Sequence, residues 1–217
     1  MGATKLGVYN GALRLLGERD LATVIEDTEA RYALDSAWDK GAVSYGGPIY
    51  CLENGYWNHA TRTQALNYSP SVEPPFGFLR AFDKPVDWVR TVSVAFDPYF
   101  ESPTIRYADE SDFWFADLDV IYVRYISKDM SYGLDLSIWP MTFEDFVELY
   151  LADASCGRIA SLSAPERQKI HKDWAEAKNR ANGIDGTNKP TQLIPTGSWA
   201  GARFGGWGNR AARWREG

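Results

Sequence analysis

The chain has 217 residues, enough for one large domain or two small ones with a substantial core. Its hydrophobic content of 45% and aromatic content of 14% argue against disorder for the bulk of it, and a net charge of −6 is opposite in sign to a DNA-gripping surface. Cys51 and Cys156 follow no spacing pattern, so neither a disulfide framework nor a Cys-pair zinc site is expected, and both read as reduced, small apolar residues. The start, MGATKLGVYNGALRLLG, has no signal-peptide core, and no window approaches the roughly 18 apolar residues of a membrane span. The expectation is a cytosolic protein with no membrane association.

In chain order, Leu6, Tyr9, Leu13 and Leu16 recur at helical steps and predict a first helix over residues 4–17, ended by Gly17. After a connector, Asp27 or Thr28 caps a second helix running toward Tyr45, with Ala30, Leu34, Ala37 and Trp38 on one face. Gly46-Gly47-Pro48 reads as punctuation before a third helix from Ile49 to about Gly55 or beyond, carrying Leu52 and Trp57. From Arg62 to Lys128 the signals turn to β. Runs at 65–68, 88–96 and 120–126 are rich in Val, Tyr, Phe and Thr, and their close spacing predicts an antiparallel sheet or small sandwich. Helical periodicity returns at Pro140 and continues to about Leu162 through Phe143, Phe146, Val147, Tyr150 and Leu151. Ser163-Ala164-Pro165-Glu166 then caps a helix reaching about Asn182 that is polar on most faces.

The fold class expected from this order is α+β. N- and C-terminal helices form a bundle core, an antiparallel β-sandwich or wing is inserted between them, and an extended arm follows. The corresponding divisions are residues 1–62, 63–138, 139–184 and 185–217.

The arm is the most informative segment. From Thr187 onward there is no helical or strand period; Trp199, Phe204, Trp207 and Trp214 stand among Arg203, Arg210, Arg213 and Arg215. With Lys189 and Glu216 this stretch carries +4, which leaves −10 on residues 1–186. Trp and Arg dominate binding hot spots, and a segment that cannot bury its own Trp residues is suited to burial by a partner.

The search for chemistry points away from an enzyme. His59 and His171 sit in no ligand-spaced cluster, and no nucleophile-elbow, zinc-protease, phosphate-loop or dinucleotide motif occurs. Asp109, Glu110 and Asp112 cluster in one apparent loop and Asp117 and Asp119 in the next, where carboxylates are ordinary turn formers. No metal site or cofactor is expected. Arg interleaved with aromatics also suits single-stranded nucleic acid, but the negative body opposes that reading.

Six segments in one order resemble a known family. They are Tyr9-Asn10-Gly11-Ala12-Leu13-Arg14-Leu15-Leu16-Gly17; Leu34-Asp35-Ser36-Ala37-Trp38-Asp39; and Leu52-Glu53 with Trp57-Asn58. The others are Phe82-Asp83-Lys84-Pro85 with Asp87-Trp88-Val89-Arg90; Ile121-Tyr122-Val123-Arg124-Tyr125; and Trp139-Pro140 with Phe143 and Tyr150-Leu151-Ala152. Together they resemble the head-to-tail adaptors of tailed phages, of the tail tubular protein A type in short-tailed podoviruses. The chain departs from the pattern at His59, where an aromatic is expected, and in the arm, which does not align.

The resemblance implies a structural virion protein of the neck and tail, assembled in the host cytoplasm. It implies a homo-oligomeric ring, expected as a dodecamer, between the portal protein and the tail nozzle, with double-stranded DNA passing through the lumen without sequence-specific binding. The C-terminal arm would reach into the portal, which makes Trp199, Arg203, Phe204, Trp207, Arg210, Arg213, Trp214 and Arg215 the candidate portal-binding residues. Acids on lumen-facing helices would keep DNA sliding, with Asp35, Asp39 and the 166–180 helix as candidates, and ordinary acidic solubility is the alternative account of the negative body. Phe113, Trp114 and Phe115 are the candidate wing contact to the nozzle, since alternation on a strand turns at least one ring outward, with a packed turn of the sandwich as the alternative. A neck stopper ring is the alternative reading. A carbohydrate-binding tail protein is a further one, carried by the same rings beside Asp112 and Asp117.

Overall fold

The computed structural model describes residues 2–41, 43–100, 106–160 and 162–187, and among them the fold is mixed α+β, with five α-helices and two three-stranded antiparallel sheets. Helix α1 (Lys5–Leu16) begins where the Thr4 hydroxyl accepts the Gly7 N–H at 3.1 Å. It ends in a Schellman turn: Gly17 takes φ +73°, and the Gly17 and Glu18 amides return to the Arg14 and Leu13 carbonyls. Asn10 then pins the connector, its amide accepting the Leu21 N–H at 2.8 Å and donating to the Leu21 carbonyl at 3.1 Å.

Helix α2 (Glu29–Asp39) is capped by Thr28 and stops well before the expected Tyr45. Lys40 and Gly41 both adopt positive φ, and Asp39 Oδ1 turns back to accept the Tyr45 N–H at 3.2 Å. Helix α3 (Gly46–Glu53) contains the glycines and proline read as punctuation. Pro48 sits in the first turn, where no amide donor is needed. Gly47 is required because a β-carbon there would come within 2.6 Å of the Ala37 carbonyl oxygen and 2.9 Å of the Tyr150 ring. Trp57 falls after α3, not within it, and its indole N–H reaches back to the Cys51 and Leu52 carbonyls at 3.2 and 3.1 Å.

The first sheet has the order β1 (Thr61–Asn67), β6 (Val120–Ser127), β3 (Trp88–Ala95); the second has β2 (Arg80–Asp83), β5 (Phe113–Ala116), β4 (Tyr107–Glu110). Phe82, Trp114 and Ala116 of the second sheet bury against Val94, Ile121, Val123 and Tyr125 of the first. The register sorts the loops. Asn67 faces Val120, Ala95 faces Tyr122, and both Arg80 and Tyr107 face Ala116. The 68–79 and 117–119 connections and the residues that follow Ala95 therefore share one end of the strands, and the 84–87 and 111–112 turns the other. Arg90 ties the strands to α3 at the second end, donating to the Glu53 carbonyl at 3.1 Å and the Tyr56 hydroxyl at 2.9 Å.

Helix α4 (Met141–Ile159) and helix α5 (Ala164–Thr187) complete the fold. One apolar cluster draws on all five helices, including Tyr9, Leu34, Trp38, Leu52, Phe143, Phe146, Leu151 and Ala177. Each such side chain contributes about 1.5–3 kcal/mol of transfer free energy. Its rings form a chain: Tyr9 to Trp38 at 5.7 Å, Trp38 to Trp139 at 6.3 Å, Trp139 to Phe143 at 5.0 Å, and Phe143 to Trp57 at 4.9 Å. Helix α5 buries a single seam through Ile170, Ala177, Ala181 and Asp185, which is why its other faces read as polar. It also outruns its expected end at Asn182. Asp185 accepts the Asn58 N–H at 3.0 and 3.1 Å while the Asn58 side chain donates to the Asp185 carbonyl at 2.7 Å, so residues 185–187, assigned to the arm, close the helix instead.

Candidate functional site

The portal-binding candidates Trp199, Arg203, Phe204, Trp207, Arg210, Arg213, Trp214 and Arg215 lie outside the described residues. The wing candidates lie within them. Phe113, Trp114 and Phe115 form β5, the central strand of its sheet, and Trp114 and Phe115 are both buried while Phe113 is half-buried. Trp114 faces the other sheet, where its indole N–H donates to Thr91 Oγ1 at 2.9 Å and Asp109 Oδ2 at 3.1 Å. Of the three rings, the Phe113 ring alone is partly open to solvent.

The acids assigned to an open loop are also placed differently. Asp109 and Glu110 belong to strand β4, and Asp109 Oδ1 pairs with Lys84 Nζ at 2.6 Å. The Lys84 side chain is only 5% exposed, donates to the Ser111 carbonyl, and stands 3.9 Å from the Trp88 ring centroid. Burial alone would raise the Asp109 pKa, but hydrogen bonds from Lys84 and Thr91 outweigh it and hold the carboxyl below the usual range. Asp117 accepts the Leu79 N–H and Asp119 pairs with Arg80, so both brace the loop end of the sheets.

The lumen candidates Asp35 and Asp39 are occupied within the fold. Asp35 accepts from the Tyr9 hydroxyl at 2.7 Å and from Arg31 at 2.7 Å, with Lys5 at 3.2 Å. Burial opposes its ionisation, but these three partners prevail and depress its pKa. Asp87 is a similar hub, gathering Arg62, the Tyr125 hydroxyl and the Ser127 hydroxyl. On α5 the exposed positions mix signs, as in the Lys172–Glu176 pair.

His59 packs its ring 4.8 Å from Phe143 and 6.4 Å from Trp57, and neither ring nitrogen has a hydrogen-bond partner among the described residues. Burial pushes its pKa down to about 4. The neutral imidazole thus fills the aromatic slot expected at that position. His171 is exposed and contacts Asp153 at 3.2 Å. Both cysteines are free and buried, as expected, and burial pushes the Cys51 thiol up. Among the described residues no His, Cys, Asp and Glu cluster could hold a metal ion, and no helix is long and apolar enough to cross a membrane.

What sequence reasoning missed is the loop end of the sheets. Phe76 is fully exposed, Tyr99 is 79% exposed and Leu79 68%, with Phe96 and Val120 also open to solvent. Arg106 rides over the Phe78 ring at 5.0 Å, and Asp117 holds the Leu79 amide, so this end is built from named contacts. The signal was present in Pro74-Pro75-Phe76-Gly77-Phe78: a ring between proline and glycine belongs to no strand alternation that would turn it inward. Exposed aromatic and aliphatic side chains thus gather at this end of the strands.

No known protein-family model matches the chain, and no curated protein matches it.

Proposed function

We propose that the chain is a structural virion protein, a head-to-tail adaptor ring joining the portal to the tail nozzle and forming part of the DNA channel. In this reading the N- and C-terminal helices make a helical core, the strands form an inserted wing, and the C-terminal segment is the portal-docking arm. One observation supports it most: the residues that carry the resemblance are the ones that join the elements. Tyr9, Trp38, Trp57, Trp139 and Phe143 make the ring chain of the helical cluster, while Lys84, Asp87, Trp88 and Arg90 tie the strands to each other and to α3. Framework positions of this kind support a reading in which the resemblance extends to the fold.

Two surfaces then have roles. The loop end of the strands, with Phe76, Leu79 and Tyr99, meets the nozzle. The basic, Trp-bearing arm meets the portal, where the acidic body does not compete for it. One arm binds weakly, because ordering ~15 residues costs roughly 15–30 kcal/mol, comparable to the burial of its rings. A ring of arms gains by effective concentration, so attachment is tight only for the oligomer or on a formed portal.

Mass photometry of the full chain, alone and mixed with the portal ring of the phage that encodes it, tests this. The expected result is a closed collar on the portal that is lost when the chain stops at Pro195 or when Trp207 and Trp214 are replaced by Ala. A chain that ignores the portal, or a double variant that attaches normally, overturns it.

A further inference from the structure

We propose that the contact between α1 and α4 is a pH-responsive latch with Glu148 as its moving part. Protonated, the carboxyl rests against Gly11 and the helices stay closed; ionised, it swings out and α1 loosens. The idea begins with shape. Gly11 is buried in the middle of α1, and a β-carbon there would overlap the Glu148 carboxyl, so the missing side chain is the hollow in which that carboxyl lies. Val8, Ala12, Val147 and Leu151 are buried on the same two helices, and Glu148 between them is half-buried.

The charges facing Glu148 do not compensate it. From α4 come Glu144, one turn earlier, and Asp145; from α1 comes Arg14. Arg14 is committed to Asp20, its Nε at 3.1 Å from both carboxylate oxygens and its Nη2 at 2.5 Å from one of them. Asp145 has its own cation in Arg180 of α5, at 3.4 Å. Glu148 itself has no hydrogen-bond partner among the described residues. Burial first, then Glu144 and Asp145, push its pKa up to about 7, and the pull of Arg14 is too small to offset them.

The sign follows. A carboxyl that titrates near 7 when closed and near the ordinary 4.5 when solvated binds its proton more tightly in the closed state. The latch is therefore firm below about pH 4.5 and weakens as pH rises toward 7, where the closed carboxyl itself ionises and the effect levels off. The other faces of α1 are held by charge-independent or strongly ionised contacts, Asn10 to Leu21 and Tyr9 to Asp35, so the loosening concentrates on the Gly11–Arg14 turn.

The test is a carbon-13 titration of the Glu148 carboxyl in the full chain, together with hydrogen exchange of the α1 amides at about pH 5.5 and pH 7.5, corrected for intrinsic rates. Glu148 should titrate near neutrality, and α1 should open about twentyfold more readily at the higher pH. Glu148→Gln, which keeps the shape and removes the charge, should abolish that difference. An ordinary acidic titration of Glu148, or the same exchange difference in Glu148→Gln, overturns the proposal. Should that variant fail to fold, the wild-type chain still decides: α1 protection that stays constant while Glu148 titrates also overturns it.

Discussion

Thr91 of the first sheet donates its hydroxyl to Asp109 of the second across 2.6 Å, and Trp114 donates its indole N–H to both. This polar knot sits beside Lys84, whose ammonium is almost wholly enclosed and has Asp109 as its counter-charge. Removing that carboxylate strands a buried cation. Asp109→Ala should therefore cost about 3 kcal/mol, the lower end of the range for a broken buried pair, because Asp109 retains some solvent contact. Lys84→Met should cost much less, since a buried apolar side chain of similar length replaces the charge. Urea midpoints of the two variants check the order; equal losses would mean that the pair contributes through packing alone.

His59 is a second buried titratable group, with the opposite charge logic. Its pKa falls from the ordinary 6.5 to about 4 in the fold because burial penalises the imidazolium. Between those values the unfolded chain binds a proton that the native state refuses, so stability falls as pH drops from 6.5 toward 4, by up to about 3 kcal/mol. Replacing His59 by Phe puts a ring with no charge into the slot beside Phe143 and Trp57. The variant should lose less stability than wild type between about pH 7 and pH 4.5, as read from guanidinium midpoints at the two conditions. Parallel losses in both proteins would remove His59 as the cause.

The slot at His59 also shows what the sequence could disclose. Helices α1 and α4 and strand β6 were legible because each carries a long run of one period, and both cysteines were read correctly as buried, free thiols. Strands β2, β4 and β5 are four residues each, too short for alternation to register, which is why Asp109 and Glu110 looked like loop residues. The end of α5 was hidden for another reason: it depends on Asp185 meeting Asn58, a contact between residues far apart in the chain. Trp114 illustrates the same limit at the candidate site. Alternation said that some ring of β5 turns outward, but the facing sheet, invisible to local pattern, decides what outward means.

At the loop end of the strands the prediction concerns binding, not folding. Phe76 is fully exposed and Tyr99 nearly so, and both side chains stand in solvent rather than in either apolar cluster. Phe76→Ser and Tyr99→Ser should shift stability by less than about 0.5 kcal/mol, as surface substitutions do. If these rings anchor a nozzle protein, each change should weaken that complex by about 2 kcal/mol, or roughly thirtyfold. Thermal unfolding and nozzle affinity measured on the same preparations separate the two effects. Unchanged affinity would leave the exposed rings without a role in the tail.

Gly11→Ala gives the Glu148 latch a steric counterpart. The added methyl occupies the hollow where the carboxyl rests, and the obstructed atoms are the far end of a flexible side chain, so the carboxyl moves rather than the helix. Alanine is also a better helix former than glycine by about 1 kcal/mol in a helix interior, which offsets part of the lost fit. The displaced carboxyl then meets water, and its pKa returns toward 4.5 from about 7. Wild type, with its raised carboxyl, should lose stability as pH rises from about 5 to 7, whereas Gly11→Ala should be flat over that window once the separate His59 contribution, which runs the other way, is subtracted through a shared His59→Phe background. Melting temperatures of the His59→Phe protein with and without Gly11→Ala provide the comparison. If the two proteins show the same slope with pH, the carboxyl does not lie where the Gly11 hollow places it, and the variation belongs to another group.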